Sequence, residues 1–376
     1  MTKNNRESKS YCSYFWKHVC VRPGFVVKPC CRFDSKKNPN ISTETSNDFL
    51  NHEFYKDLRA KAIAGDKIEG CQKCYSQEER GVQSLREVAN RQFGMDEVSI
   101  DIQKKDIEYL EIFIGDVCNL KCVTCKPQLS TKWREDYEKL GWELEPREPE
   151  VDVVGFIRNF ENLGEVKFVG GEPLIHKDHK KILSALAECG SENITLHYFT
   201  NNTIFPDTET LELWQQFKEV TLNLSVDGVG KINDYIRYPS KWSAVDKIVD
   251  QFFHLSSREK NIVIRVACTV STLNVFSLSD LESWYEEKKA KYPNANLHQI
   301  LFNPLLDPKN LALSSLSADS RKRALETLNP ETTAQKNVIN WIVNSKENKN
   351  PIEIDPFLDD LDRIRKNDHK SLSKNL

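Results

Sequence analysis

The residues most able to do chemistry are Cys118, Cys122 and Cys125, held within the eight-residue stretch CNLKCVTC directly after the apolar run from Tyr109 to Ile114. Three thiolates do not complete a closed structural zinc site, which takes four ligands. They do suit a 4Fe–4S cluster in which three irons are held by the protein and the fourth stays open to a small molecule. A second group, Cys12, Cys20, Cys30, Cys31, Cys71 and Cys74, accounts for six of the eleven cysteines. In a reducing compartment such thiols serve metal ligation rather than a disulfide framework.

Downstream of the first group, Val166 to Val169 reads as a strand that ends in Gly170, Gly171, Glu172 and Pro173. CNLKCVTC followed by this GGEP turn resembles the cluster loop and glycine-rich turn of the radical S-adenosylmethionine (SAM) superfamily. The resemblance implies a 4Fe–4S cluster on Cys118, Cys122 and Cys125, with the amino and carboxylate groups of SAM chelating the open iron. It also implies reductive cleavage of SAM to a 5′-deoxyadenosyl radical that takes a hydrogen from a substrate. By the same resemblance Gly170, Gly171, Glu172 and Pro173 bind the methionyl end of SAM, and Ser225 and Asp227 meet the ribose. Asn201 faces cofactor or substrate, with Asn202 beside it. For Ser225, Asp227 and the asparagines, ordinary turn chemistry is an equal alternative. One departure is Thr124, which stands before the last cysteine where many family members carry an aromatic or apolar side chain.

In the N-terminal group, Pro29–Cys30–Cys31–Arg32 after Gly24, and then Cys71–Gln72–Lys73–Cys74, resemble a twitch or SPASM-type auxiliary-cluster module. The resemblance implies a second 4Fe–4S cluster on Cys12, Cys30, Cys71 and Cys74. Five residues separate Gly24 from Cys30, one more than usual, so Cys31 is the alternative ligand. Zinc on the same thiolates is the rival reading. Cys20, Cys189 and Cys268 read as inert thiols.

The elements that must carry these residues follow from hydrophobic patterning. Candidate strands at 108–114, 165–169, 194–199, 220–225, 262–269 and 297–302 alternate with helical stretches, among them 129–140, ending at Gly141, and 177–189. Short strands apolar on both faces and joined by helices specify a parallel sheet of βα units, an α/β class. With the resemblance, this becomes a partial (β/α)6 TIM-like barrel with a small N-terminal cysteine-rich domain. The expected division is residues 1–100 for the auxiliary segment, 101–308 for the barrel and 309–376 for a C-terminal helical extension. Catalytic sites of such barrels lie at the C-terminal strand ends, where each motif falls.

The 376 residues carry a net charge of −3 and therefore no basic field for nucleic acid. The polar N-terminus and the absence of a long apolar run imply no membrane span and a cytoplasmic setting. The Lys- and Asn-rich stretches 345–350 and 366–376 read as solvated faces. The leading expectation is a radical SAM oxidoreductase acting on a peptide, served by an electron donor such as flavodoxin or ferredoxin. A radical SAM small-molecule dehydrogenase, a cofactor-maturation enzyme and a non-catalytic zinc or iron–sulfur protein are the alternatives. Tyr235, Arg237, His197 and Trp242 stand as undistinguished candidates for handling protons, so the catalytic residue is open.

Overall fold

A computed structural model describes residues 10–22, 24, 26–39, 41, 47–79, 83–94, 107–147, 152–345 and 355–372. Among the described residues, eight strands form a single sheet: β1 (His18–Val21), β2 (Val27–Lys28), β3 (Tyr109–Phe113), β4 (Glu165–Val169), β5 (Thr195–Thr200), β6 (Glu219–Ser225), β7 (Ile262–Val270) and β8 (Leu301–Pro304). Their order is β2-β1-β3-β4-β5-β6-β7-β8. From β3 to β8 every neighbour pair is parallel and consecutive in the chain. The sheet is therefore an open, partial α/β barrel, as the alternation of strands and helices implies.

Two features go beyond the sequence reading. Strands β1 and β2 come from the N-terminal segment, and β1 pairs in parallel with β3, matching His18 to Tyr109 and Val21 to Ile112. The cysteine-rich segment is thus continuous with the barrel sheet. The last strand also starts later than 297: Leu297 makes only an isolated bridge to Ile264, and regular pairing begins at Leu301.

Side chains alternate across each strand. Val166 and Phe168 of β4, with Leu196 and Tyr198 of β5, are fully buried and pack in the main core with Ile182, Leu183 and Leu186 of the helix His179–Glu188. The opposite face is polar, not apolar as expected. Cys20, Glu111, Lys167, His197 and Thr221 stand in one register row across β1, β3, β4, β5 and β6. Lys167 donates to Glu111 at 3.0 Å, the Cys20 thiol reaches Glu111 at 3.3 Å, and His197 pairs with Glu165 at 3.0 Å. Burial opposes ionisation of Glu111, but Lys167 and His18 bring it down to about 2. On this face Glu111 is thus held charged by its pairing with Lys167, which offsets the cost of burying it.

Beyond the barrel the chain is helical over Ala318–Thr327, Thr333–Asn344 and Asp355–Arg365. Among the described residues, no helix is long and apolar enough to cross a membrane.

Candidate functional site

The loop after β3 carries Cys118, Cys122 and Cys125, and its backbone is tied on three sides. Lys121 N–H donates to the Tyr238 carbonyl at 2.8 Å and Val123 N–H to the Ile236 carbonyl at 2.7 Å. The Ser130 hydroxyl donates to the Leu120 carbonyl at 2.6 Å, and the Trp133 indole to the Cys122 carbonyl at 2.7 Å. These bonds replace regular secondary structure, of which the loop has none, and satisfy its polar groups. The three thiols lie within electrostatic reach of one another; burial pushes Cys118 up, Cys122 up to about 11 and Cys125 up to about 12.

The GGEP turn packs directly on this loop. Gly171 N–H donates to the Gly115 carbonyl and Glu172 N–H to the Val117 carbonyl, each at 2.8 Å. A Cβ on Gly170 would sit 2.2 Å from the Gly115 oxygen, and one on Gly171 2.0 Å from the Val117 oxygen. The physical need for both glycines is thus contact with the cysteine loop's own backbone. The buried Glu172 carboxylate accepts from Leu174 N–H at 3.2 Å and Asn201 N–H at 2.6 Å, joining the turn to the end of β5. Burial raises its pKa to about 7, against those hydrogen bonds. Pro173 begins the short helical turn Pro173–Ile175.

Asn201 is buried with its amide 3.8 Å from the Cys118 sulfur and 2.8 Å from Asn119 Oδ1. Asn202 takes φ 59° and donates to the Ser225 carbonyl at 2.9 Å, while its own Oδ1 is buried without a partner. Ser225 ends β6, half-buried. Asp227 differs from the sequence picture of a carboxylate offered to a diol. It is 1% exposed, and its two oxygens are taken by Arg237 at 2.9 Å and Thr269 N–H at 2.8 Å. What this aspartate visibly does is hold Arg237 beside the thiols. Burial works against that guanidinium's charge, and Cys122 and Asp227 outweigh it. Arg237 Nε is buried without a partner.

Of the other candidates, Tyr235 donates to Asp362 at 3.0 Å and Trp242 packs on Trp284 with centroids 5.2 Å apart. His197 lies on the concave face in its pair with Glu165. Three residues around the cysteine loop carry no chemical signal in the sequence: Asp136 (bonded by Lys121), Arg365, and Trp133, which reads only as part of a helix's apolar stripe. Arg365 Nε bonds Asp136 at 2.7 Å across 229 positions of sequence.

The N-terminal segment builds a second site. Cys12, Cys30, Cys71 and Cys74 line one small, largely enclosed cavity with Tyr14, Phe15, Phe33 and Arg86. Asp34 N–H donates to the Gly70 carbonyl at 3.0 Å, drawing the second and third cysteine segments together. Burial pushes all four thiols up, Cys71 to about 12, and Arg86 pulls Cys12, Cys71 and Cys74 back down. Cys31 is outside this cavity, its thiol near Glu111 and Lys167. Cys20 and Cys268 are fully buried and Cys189 half-buried. A larger surface groove, lined by Phe205, Leu211, His254, Leu255 and Tyr292, lies on the outer helices and includes none of the cysteines.

Both sites fit an iron–sulfur group by their donors: three thiols beside a buried arginine with an unpaired nitrogen, and four thiols around one enclosed space.

Residues 112–265 match the family described as the Radical SAM superfamily. Among curated proteins, the chain is similar to GTP 3′,8-cyclase of Haemophilus ducreyi, 26% identical over 182 residues that cover 47% of this chain and 50% of that one. It is also similar to GTP 3′,8-cyclase of Psychromonas ingrahamii, 32% identical over 106 residues covering 28% and 29%. The chain spans about half the length, or less, of these relatives. Similar solved structures include Streptococcus suis SuiB bound to S-adenosylmethionine, at 17% identity and TM-score 0.33, covering 77% of this chain and 51% of that one. Another is native anSMEcpe with bound AdoMet and Cp18Cys peptide, at 18% identity and TM-score 0.39, covering 58% of each chain.

Proposed function

We propose, from the premise that residues 112–265 are a domain of the radical SAM superfamily, that this chain binds SAM at a 4Fe–4S cluster on Cys118, Cys122 and Cys125 and performs radical chemistry on a polar substrate. The observation that carries the reading is the locking of the three-thiol loop to the GGEP turn through the Gly171 and Glu172 backbone bonds. When bound, the cluster supplies the electron that cleaves SAM and so generates the hydrogen-abstracting radical.

The protein's own residues have four tasks in this reading. Arg237, held by Asp227, places a permanent positive charge behind the thiols. Glu172 offers a buried carboxylate whose ionisation a cationic ammonium stabilises. Asn201 bridges Cys118 and Asn119 and fixes the approach from β5. Ser225, at the end of β6, leaves a hydroxyl for a ribose. A second cluster is assigned to Cys12, Cys30, Cys71 and Cys74, because those four thiols line one cavity and Cys31 does not.

For the substrate, the open sheet and the charged concave face of Glu111, Lys167, Glu165 and His197 favour a polar molecule that enters from the edge. A peptide is our first assignment and an oxidoreductase-type outcome our first reaction class. A nucleotide is the second reading, favoured by the similarity to GTP 3′,8-cyclases. A flavodoxin or ferredoxin is the proposed reductant, in the cytoplasm.

The test is anaerobic reconstitution with iron and sulfide, followed by SAM and a strong reductant. Formation of 5′-deoxyadenosine is expected. It should be lost when Cys118, Cys122 and Cys125 are replaced by alanine. A cluster-loaded, reduced protein that never cleaves SAM would sink the reading. Consumption of GTP in the same assay would move the substrate to the nucleotide class.

A further inference from the structure

The helix Asp355–Arg365 packs against the cysteine loop and its supporting helices. Leu358 and Leu361 share a core with Val123, Trp133, Ile232 and Ile236. Phe357 stacks on Trp142 with centroids 5.7 Å apart, and Asp362 accepts from Tyr235 at 3.0 Å. The last residue of the helix, Arg365, is thereby driven into the protein with a side chain 2% exposed. Its guanidinium lies 4.6 Å from the Trp133 ring centroid and 5.1 Å from that of Tyr238, while Nε bonds Asp136. Trp133 bonds the Cys122 carbonyl and the Tyr238 carbonyl accepts from Lys121, so both rings belong to the loop's supports.

Two facts make this arginine more than packing. Its NH1 and NH2 nitrogens are buried with no partner. Asp136, the carboxylate it uses, is already bonded by Lys121 at 2.7 Å. The other acid in reach, Glu135, is half-exposed, 3.4 Å from Lys121 and also paired with Lys132 at 2.8 Å, so Arg365, Lys121 and Lys132 meet two carboxylates and positive charge is in excess beside the loop. Burying unpaired cationic donors is costly unless an anion faces them. Thiolates ligating iron are such an anion.

We propose that Arg365, carried in by the C-terminal helix, is a positioning and electrostatic residue of the Cys118–Cys122–Cys125 centre, holding its reduction potential up with excess positive charge behind Cys122. This rests on the radical SAM reading above. The C-terminal extension is then part of the metal centre's surroundings. A positive charge near a cluster favours the more negative, reduced state.

The experiment is a redox titration followed by EPR on the full-length chain, read at the cluster whose signal changes when SAM is added. A SAM-responsive signal in the unaltered protein establishes the parent reading on its own; its absence overturns that reading rather than this one. Arg365→Met should then lower the reduction equilibrium constant by about tenfold, which is 59 mV for one electron. Arg365→Lys should restore most of it. Asp136→Asn, which removes the negative partner, should shift the potential in the opposite direction, and it keeps the test available if Arg365→Met fails to fold. A merely structural role moves no potential with opposite signs in the two variants. Unchanged potentials, or shifts of the same sign, with iron content preserved would overturn the proposal.

Discussion

Gly171→Ala is a one-carbon change whose consequence follows from the contacts of the GGEP turn. The new Cβ would lie 2.0 Å from the Val117 carbonyl oxygen, 2.5 Å from the Val117 carbonyl carbon and 3.0 Å from that of Asp116. All three are backbone atoms, so no side chain can swing aside. The turn must instead part from the cysteine loop, which breaks the Gly171–Gly115 and Glu172–Val117 hydrogen bonds. Each such bond contributes about 1 kcal/mol net. Overpacking adds about 1–3 kcal/mol. The expected loss of stability is therefore about 3–5 kcal/mol. The same movement displaces the turn from the thiols, and a misplacement near 1 Å costs on the order of a hundredfold in rate. Denaturant titration and the rate of 5′-deoxyadenosine formation read the two effects. Gly164→Ala is the control, because its Cβ would meet only the Glu108 oxygen at 3.7 Å, an ordinary contact. If Gly171→Ala matches Gly164→Ala in both stability and rate, the close-approach argument fails.

Replacing Cys71 and Cys74 together by serine should lower the iron content while leaving SAM cleavage partly intact; unchanged iron would remove the second-cluster assignment. Glu172, raised from 4.5 to about 7 by burial, binds its proton more tightly folded than unfolded. In iron-free protein it should therefore cost stability as pH rises from about 5 to 7, by about 3 kcal/mol in full. Because buried His18 and His179, each held near 4 by burial, contribute with the opposite sign, the test is the difference between the parent protein and Glu172→Gln, which should grow over that window and then level off. Equal pH profiles for the two proteins would refute it. Tyr198, whose hydroxyl meets His179 at 2.8 Å and the Trp214 indole at 3.0 Å, should cost about 2 kcal/mol when changed to Phe. Iron content should not change, since this network lies on the outer layer.

The residue pattern by itself determined much of the barrel. Strand runs such as Glu165–Val169 alternate over four or five residues, and the helix Thr131–Leu140 stops at Gly141 with φ 68°. These are local signals, set by side-chain period and backbone sterics. Cys118, Cys122 and Cys125 belong to the same class, because three thiols on one short loop are neighbours whatever the rest of the chain does. The polar concave face was also present in the alternation of Glu165, Lys167 and His197, but a reading that expects buried parallel strands to be apolar on both faces passes over it.

Other features depend on contacts between distant segments, and only the tertiary structure decided them. Cys30, not its neighbour Cys31, lines one cavity with Cys12, Cys71 and Cys74, in segments joined by the bond from Asp34 N–H to the Gly70 carbonyl. β1 enters the sheet beside β3 across a stretch of about ninety residues whose length says nothing of pairing. Asp227 gives its carboxylate to Arg237 and to Thr269 N–H, and Arg365 reaches Asp136 across 229 positions of sequence. Spacing in sequence can place ligands on a loop. Which charges stand behind that loop depends on packing between segments, where burial makes the fit of each charge to its partner decisive.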